Sequence, residues 1–401
     1  MIHDIAVIGA GMAGASLAAE LAAHARVLLL EAEDAPGYHA TGRSAAFWEE
    51  CYGGPGVVPL TRASGAYLAQ HGFLTQRGAL YIGRTEDRAA MDEFRASYNG
   101  TGVQIERLAP EALAERVPHV RPEWSEALYQ PACADIDVAG LHQHYLAEAR
   151  RQGVTIATRA RVSGLARANG VWTITGQTGE TWQAATLVNA AGAWADEIAR
   201  LAGVAPIRIA PFRRTVAVLQ VEPQAPADLP LVIDVGGGFY FKPDGGRLWL
   251  SPHDEIPSEP CDAAPEELDV AIAIDRFQNV TDWRIAAVEH RWAGLRSFAP
   301  DRMPVYGFDA DADGFFWFAG QGGFGIQTAP AAARLGAQAV LGLGADAMTA
   351  GIDPAAYAPA RFKYNWEVMF STQGYSSKAS AQNVIDSIKQ NGPDAEVEDN
   401  S

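Results

Sequence analysis

Three glycines and one carboxylate near the start of the chain have types and spacing suited to holding a dinucleotide. Gly9, Gly11 and Gly14 form G-x-G-x-x-G with Ala10, Met12 and Ala13 between them, directly after an apolar run and at the head of an alanine-rich one. Glycine at those positions permits a tight turn, close approach of the backbone to a pyrophosphate, and packing of helix on strand, while the helix N-terminus attracts phosphate charge. Glu31 follows the apolar run from Val27 to Leu30, where a carboxylate can accept hydrogen bonds from both ribose hydroxyls. Glycines alone would be read as a structural turn. Strand, helix and acid in register make dinucleotide binding the expectation.

Further segments carry more. Thr41-Gly42-Arg43-Ser44-Ala45-Ala46, the stretch from Val188 through Asn189, Ala191 and Gly192 to Trp194, and Gly320-Gln321-Gly322-Gly323-Phe324-Gly325-Ile326-Gln327 are spread widely along the chain. Together they resemble the D-amino acid oxidase superfamily of FAD enzymes, and most nearly its D-arginine dehydrogenase branch. The likeness runs from about Ile2 to Phe362.

That resemblance implies noncovalent FAD. The Thr41–Ser44 stretch would lie along pyrophosphate and flavin, Ala191, Gly192 and Trp194 with Val162 would close the adenine end, and Gly322, Gly323, Gly325, Ile326 and Gln327 would reach the flavin ring. A glycine loop feeding a helix at Ile326 would point N–H groups at the anionic reduced flavin. Cys261 is the nearest cysteine upstream of this loop and none follows it, so a covalent flavin bond there is not expected.

Recognising a substrate carboxylate needs a planar, bidentate donor, which is arginine's strength. Arg296, in Trp292-Ala293-Gly294-Leu295-Arg296-Ser297, matches the family's carboxylate-binding segment, and Arg214, Tyr240 and Tyr52 match positions lining the same pocket. Gln327 and Gly323, in the glycine loop, are expected either to shape backbone or to touch flavin and substrate. No Ser-His-Asp set and no paired carboxylates are needed, because a flavin takes hydride from Cα and the protein mainly orients the substrate. Two positions depart from the D-arginine dehydrogenase pattern: Phe47 replaces a histidine, and Ala79 stands where a glutamate pairs with the guanidinium. An apolar or aromatic side chain on a D-amino acid is therefore expected, unless Glu49 or Glu50 turns inward to restore the charge.

Oxidative deamination of a D-amino acid to an imino acid and then a keto acid is the first reading. Oxidation of glycine, sarcosine or another secondary amino acid is the second, and a non-catalytic FAD-binding protein the third. The electron acceptor is open among oxygen, a quinone and another carrier.

Elements to position these groups follow from periodicity. Ile5 to Ile8, Met12 to Ala23 and Val27 to Leu30 read as strand, helix and strand of a Rossmann-like α/β fold, the apolar strands suiting a parallel sheet covered on both faces. A helix from Val138 to about Gln152 and a closing helix from Ile326 to Val340 belong with it. Alternation from Val216 to Val221 and aromatic runs at Phe239 to Phe241 predict a second, α+β domain on a mostly antiparallel sheet. We divide the chain into FAD-binding parts at 1–52, 132–210 and 301–362, substrate-domain parts at 53–131 and 211–300, and an acidic tail at 363–401. The tail resembles part of a small YegP-like module, with Ser376 or Ser377 capping a helix to about Gln390.

The chain has 401 residues, 48% of them hydrophobic, enough for two or three domains. Its formal net charge of -17 disfavours nucleic acid and anionic lipid as partners and favours a small molecule. No apolar stretch reaches the roughly 18 residues of a membrane span. Three cysteines without metal-ligand spacing suggest a reducing, cytoplasmic setting and no zinc site.

Overall fold

The computed structural model describes residues 2–362, of which 2–359 belong to one compact unit. The expected helix after Ser376 lies outside the described residues.

Ile2–Ile8 is central to an eight-stranded sheet, parallel to Val27–Leu30 on one side and to Thr181–Asn189 on the other. Both neighbours extend the parallel core, to Thr155–Ala157 and to Phe315–Ala319. Every residue of Val27–Leu30 and of Phe315–Ala319 is buried, as continuous apolar strands require when helices cover both faces. The helix Met12–Ala22 packs on two others, Val138–Arg151 and Ala329–Leu341, through a core of alanine and leucine. Asp137 caps the first of these by accepting from Gly140 N at 2.8 Å.

A second sheet has ten strands. Its middle is a long antiparallel pair, Ala210–Glu222 with Arg284–Phe298, followed by Arg247–Ser251, Tyr240–Asp244 and Leu231–Asp234. Leu231–Asp234 then pairs with Ala79–Gly83, the one parallel contact in this sheet among the described strands. The helix Glu267–Val280 covers it, burying Phe277 against Phe241 and Trp283. The α/β core with a second, mostly antiparallel sheet is the expected fold.

One boundary is corrected. The closing helix begins at Ala329 rather than Ile326, because Pro330 suits only a first turn and would sit inside a helix begun at Ile326. Residues 323–328 are turn, so the loop presents irregular backbone to its surroundings instead of a helix end.

Candidate active site

One continuous cavity of about 580 Å³ runs from the Gly9 turn to the face of the ten-stranded sheet. Gly9 takes φ +99°, a conformation strained for other residues, and a Cβ there would lie 2.5 Å from the Ala190 carbonyl oxygen. Gly11, Met12 and Ala13 line the cavity beside it. Gly14 does not; its Cα sits against the Gly9 carbonyl, where a Cβ would come within 1.8 Å of the oxygen. The helix that starts at Met12 has no side-chain cap and no acid in its first turn, which leaves its positive end to an anion.

Glu31 is buried at the cavity wall. Its two oxygens accept from Ala10 N at 3.0 Å and Glu33 N at 2.9 Å, which aims the carboxylate while leaving it further lone pairs. Val162, Ala191, Gly192 and Trp194 line the same end.

Thr41, Arg43, Ser44, Ala45 and Ala46 form one wall of the middle. Thr41 Oγ1 accepts from Met12 N at 2.9 Å, tying this loop to the glycine turn. Gly42 is turned away, with Gly37 O 2.7 Å from where its Cβ would lie. The Arg43 guanidinium pairs with Asp262 and donates to Ala263 O at 2.7 Å, so its charge fastens the 262–263 loop and is not directed at a phosphate.

At the far end stand the expected substrate residues. Phe212 pairs with Arg296 and Arg214 with Gly294 across the long antiparallel pair, so both arginines project from one face of the sheet. Arg214 donates its Nε to Asp254 O at 2.6 Å, but its Nη1 and Nη2, both buried, make no hydrogen bond. Glu255 Oε1 is 3.5 Å from Arg214 and 4.0 Å from Arg296, contacts too long for hydrogen bonding. Burial and the neighbouring Arg296 charge lower the Arg214 pKa to about 10. The Arg296 guanidinium lies 5.4 Å from the Tyr52 ring centre, and the buried Tyr52 hydroxyl is also without a partner. Tyr240 lines the cavity with its ring edge-on to Phe47 at 6.0 Å. Ala79 is buried behind them and does not line the cavity.

Gln327 takes the backbone-shaping role of its two expected roles, and its place among the flavin- and substrate-contacting residues is corrected. Its side chain faces no cavity: it accepts from Glu49 N at 3.2 Å and donates to Glu49 O, Tyr52 O and Thr61 Oγ1. A buried amide must satisfy all its groups, and here that need fixes the turn bearing Glu49 and Tyr52. Gly322, Gly323, Gly325 and Ile326 do line the cavity.

One cavity residue carries no local signal in the sequence, and one of the two acids named as able to turn inward does so. His253 follows the strand Arg247–Ser251 at φ +55°, and burial with the charges of Arg214 and Arg296 pushes its imidazole down to about 3. Glu49 turns inward and lines the cavity, whereas Glu50 pairs with Arg62 at 3.2 Å and accepts from Gln130.

A model of the FAD dependent oxidoreductase family, DAO, matches residues 4–339. The chain belongs to that family. FAD is its cofactor, and the residues fit it: an open helix end and an aimed acid at one end, a glycine loop beside unpartnered cationic donors at the other. The likeness to the D-arginine dehydrogenase branch is not shown at that level. L-2-hydroxyglutarate dehydrogenase of Escherichia coli strain K12 is 30% identical over 227 residues, 53% of each chain, so the match spans about half of that relative. The structure of L-proline dehydrogenase from P. horikoshii superposes with TM-score 0.79 at 23% identity, covering 91% of this chain and 98% of the other, which shows the shared fold.

Residues 361–399 match DUF1508, a domain of unknown function. A UPF0339 protein of Mesorhizobium japonicum is 80% identical over 41 residues, 10% of this chain and 71% of its own length. The tail is thus a second family unit on the oxidoreductase. Among the described residues no helix is long and apolar enough to cross a membrane, and no cluster of side chains could hold a metal ion.

Proposed function

We propose that this flavoprotein oxidises a small D-amino acid to its imino acid, which water converts to a keto acid and ammonia. The observation that carries a carboxylate-bearing substrate is the Arg214 guanidinium, with two buried nitrogens making no hydrogen bond, next to Arg296 and an unpartnered Tyr52 hydroxyl. Buried donors left without acceptors cost about 1–3 kcal/mol each, and a bound carboxylate would supply the acceptors. Bound FAD supplies the two-electron oxidation. The protein binds the carboxylate, holds Cα in place and excludes water.

The D configuration is supported by the likeness of the Thr41–Ser44, Arg296 and Gly320–Gln327 segments to D-arginine dehydrogenases. An apolar side chain is supported by the wall formed by Phe47, Tyr81, Phe94, Leu231 and Ile233, against which buried area is worth about 25 cal/mol per Å². Oxidation of an α-hydroxy acid is the second reading, favoured by the match to L-2-hydroxyglutarate dehydrogenase. The same arginines would serve it. Ammonia and keto acid formed from a D-amino acid establish the first reading; turnover of 2-hydroxy acids alone establishes the second.

A further inference from the structure

Glu49 is 1% exposed and is among the residues that line the cavity. One carboxyl oxygen accepts from the Tyr81 hydroxyl at 2.8 Å and the other from Cys51 N at 3.1 Å, and the Cys51 thiol also bonds the carboxyl. Among the described residues no lysine, arginine or histidine forms an ion pair with it, in contrast to Glu50. The groups around it are all acids or neutral: Tyr81, Cys51, Tyr98, Cys133 and Glu50. Burial raises the ionisation of every one of them, and Glu50 is held by Arg62 and Gln130. Gln327 clamps the Glu49 peptide on both sides and ties it to Tyr52, whose hydroxyl adjoins Arg296 and Gly323. An unpaired carboxyl is therefore tied by Gln327 to the turn that carries Tyr52, which adjoins the carboxylate-binding end.

We propose that Glu49 receives the α-ammonium group of the substrate and takes a proton from it, delivering the neutral amine from which Cα–H can be oxidised. The inference rests on the amino-acid reading above. In this step an N–H bond of the ammonium breaks with its electron pair left on nitrogen, and an O–H bond forms on Glu49; nothing is oxidised or reduced. Bound FAD would then supply the two-electron oxidation of Cα–H. A buried carboxylate with no cation of its own is costly, and the arriving ammonium removes that cost. Burial raises the carboxyl to about 7, close to where a base accepting protons at neutral pH is most effective. Glu49 then serves the reacting nitrogen, and the side chain still meets an apolar wall.

Anaerobic flavin reduction by D-methionine, followed across pH, tests this. In the wild type the rate constant divided by the apparent Kd is expected to rise with pH through about 7. Glu49→Gln should lose that limb, fall by about 10²- to 10⁴-fold at neutral pH, and recover as the pH approaches the ionisation of the substrate ammonium. Its flavin content and its affinity for benzoate, a carboxylate without an amine, should be unchanged. Tyr81→Phe, which removes a hydrogen bond favouring the charged carboxyl, should move the limb to higher pH. An unmoved limb in both variants overturns the proposal, as does a Glu49→Gln defect confined to D-lysine and D-arginine. A wild type that no amino acid reduces overturns the amino-acid reading and this step with it; a wild type that is reduced while Glu49→Gln matches it overturns this step alone.

Discussion

Arg214 and Arg296 stand on the same face of adjacent antiparallel strands, Arg214 opposite Gly294 and Arg296 opposite Phe212, and both reach the cavity. Asp254 O takes only the Nε of Arg214, so both its Nη groups, without hydrogen bonds, stand ready for a ligand beside Arg296. Replacing either with Met should leave flavin content intact and weaken apparent substrate binding by about 2–5 kcal/mol, the range for truncating a buried charged pair. Titration of the oxidised flavin with benzoate measures it. Unchanged affinity in both variants would place the carboxylate elsewhere.

Two glycines separate cofactor binding from substrate binding. A Cβ at Gly14 would fall 1.8 Å from a backbone oxygen, Gly9 O, which cannot retreat without opening the turn. Gly14→Ala is therefore expected to abolish FAD retention and lower stability. At Gly323 the obstacle is the Tyr52 hydroxyl, also at 1.8 Å, with Arg296 Nε at 2.9 Å, and side chains can rotate aside. Gly323→Ala should keep its flavin and raise KM. Flavin absorbance after gel filtration, together with steady-state kinetics, distinguishes the two; equal flavin loss would contradict the division.

How far the sequence discloses this site depends on whether the geometry is local. The Gly9 turn, its helix and Glu31 lie within one contiguous unit, so spacing alone reveals them. Arg214 and Arg296 meet only through the strand register, which the family likeness supplies and periodicity does not. His253 depends on a left-handed backbone after a strand, and no residue type nearby announces it. Glu49 and Glu50 are adjacent acids with opposite fates, decided by which one Tyr81 and which one Arg62 can reach. Gln327 lies in the expected glycine loop, but its amide turns away from the cavity to bond three backbone groups of the Glu49–Tyr52 turn and the Thr61 hydroxyl.

His253 and Glu49 give stability a pH signature of opposite signs. The folded chain holds His253 at about 3, below its ordinary 6.5, so its contribution is present above 6.5 and is lost as pH falls toward 3. Glu49 is raised from 4.5 to about 7, so its contribution is present below 4.5 and is lost as pH rises through 7. Each slope is at most about 1.4 kcal/mol per pH unit, and they oppose one another where the windows overlap. Urea midpoints across this range should show His253→Asn losing less stability toward acid, and Glu49→Gln losing less from acid toward neutral. Slopes identical to the wild type in both variants would contradict the assignment.

Truncation after Phe362 should leave the flavoprotein folded and active, because the family match ends at residue 339 and the compact unit at Pro359. Yield, flavin content and kcat of the shortened chain check it; loss of flavin would show that the tail supports the oxidoreductase.

The central claim, that this site oxidises a D-amino acid held by Arg214 and Arg296, is tested most directly by mixing the purified protein anaerobically with D- and L-amino acids and with 2-hydroxy acids while following the oxidised-flavin absorbance. Bleaching by apolar or aromatic D-amino acids, with D-methionine and D-phenylalanine faster than D-arginine, is the expected result. Bleaching only by L-amino acids or only by 2-hydroxy acids would contradict it.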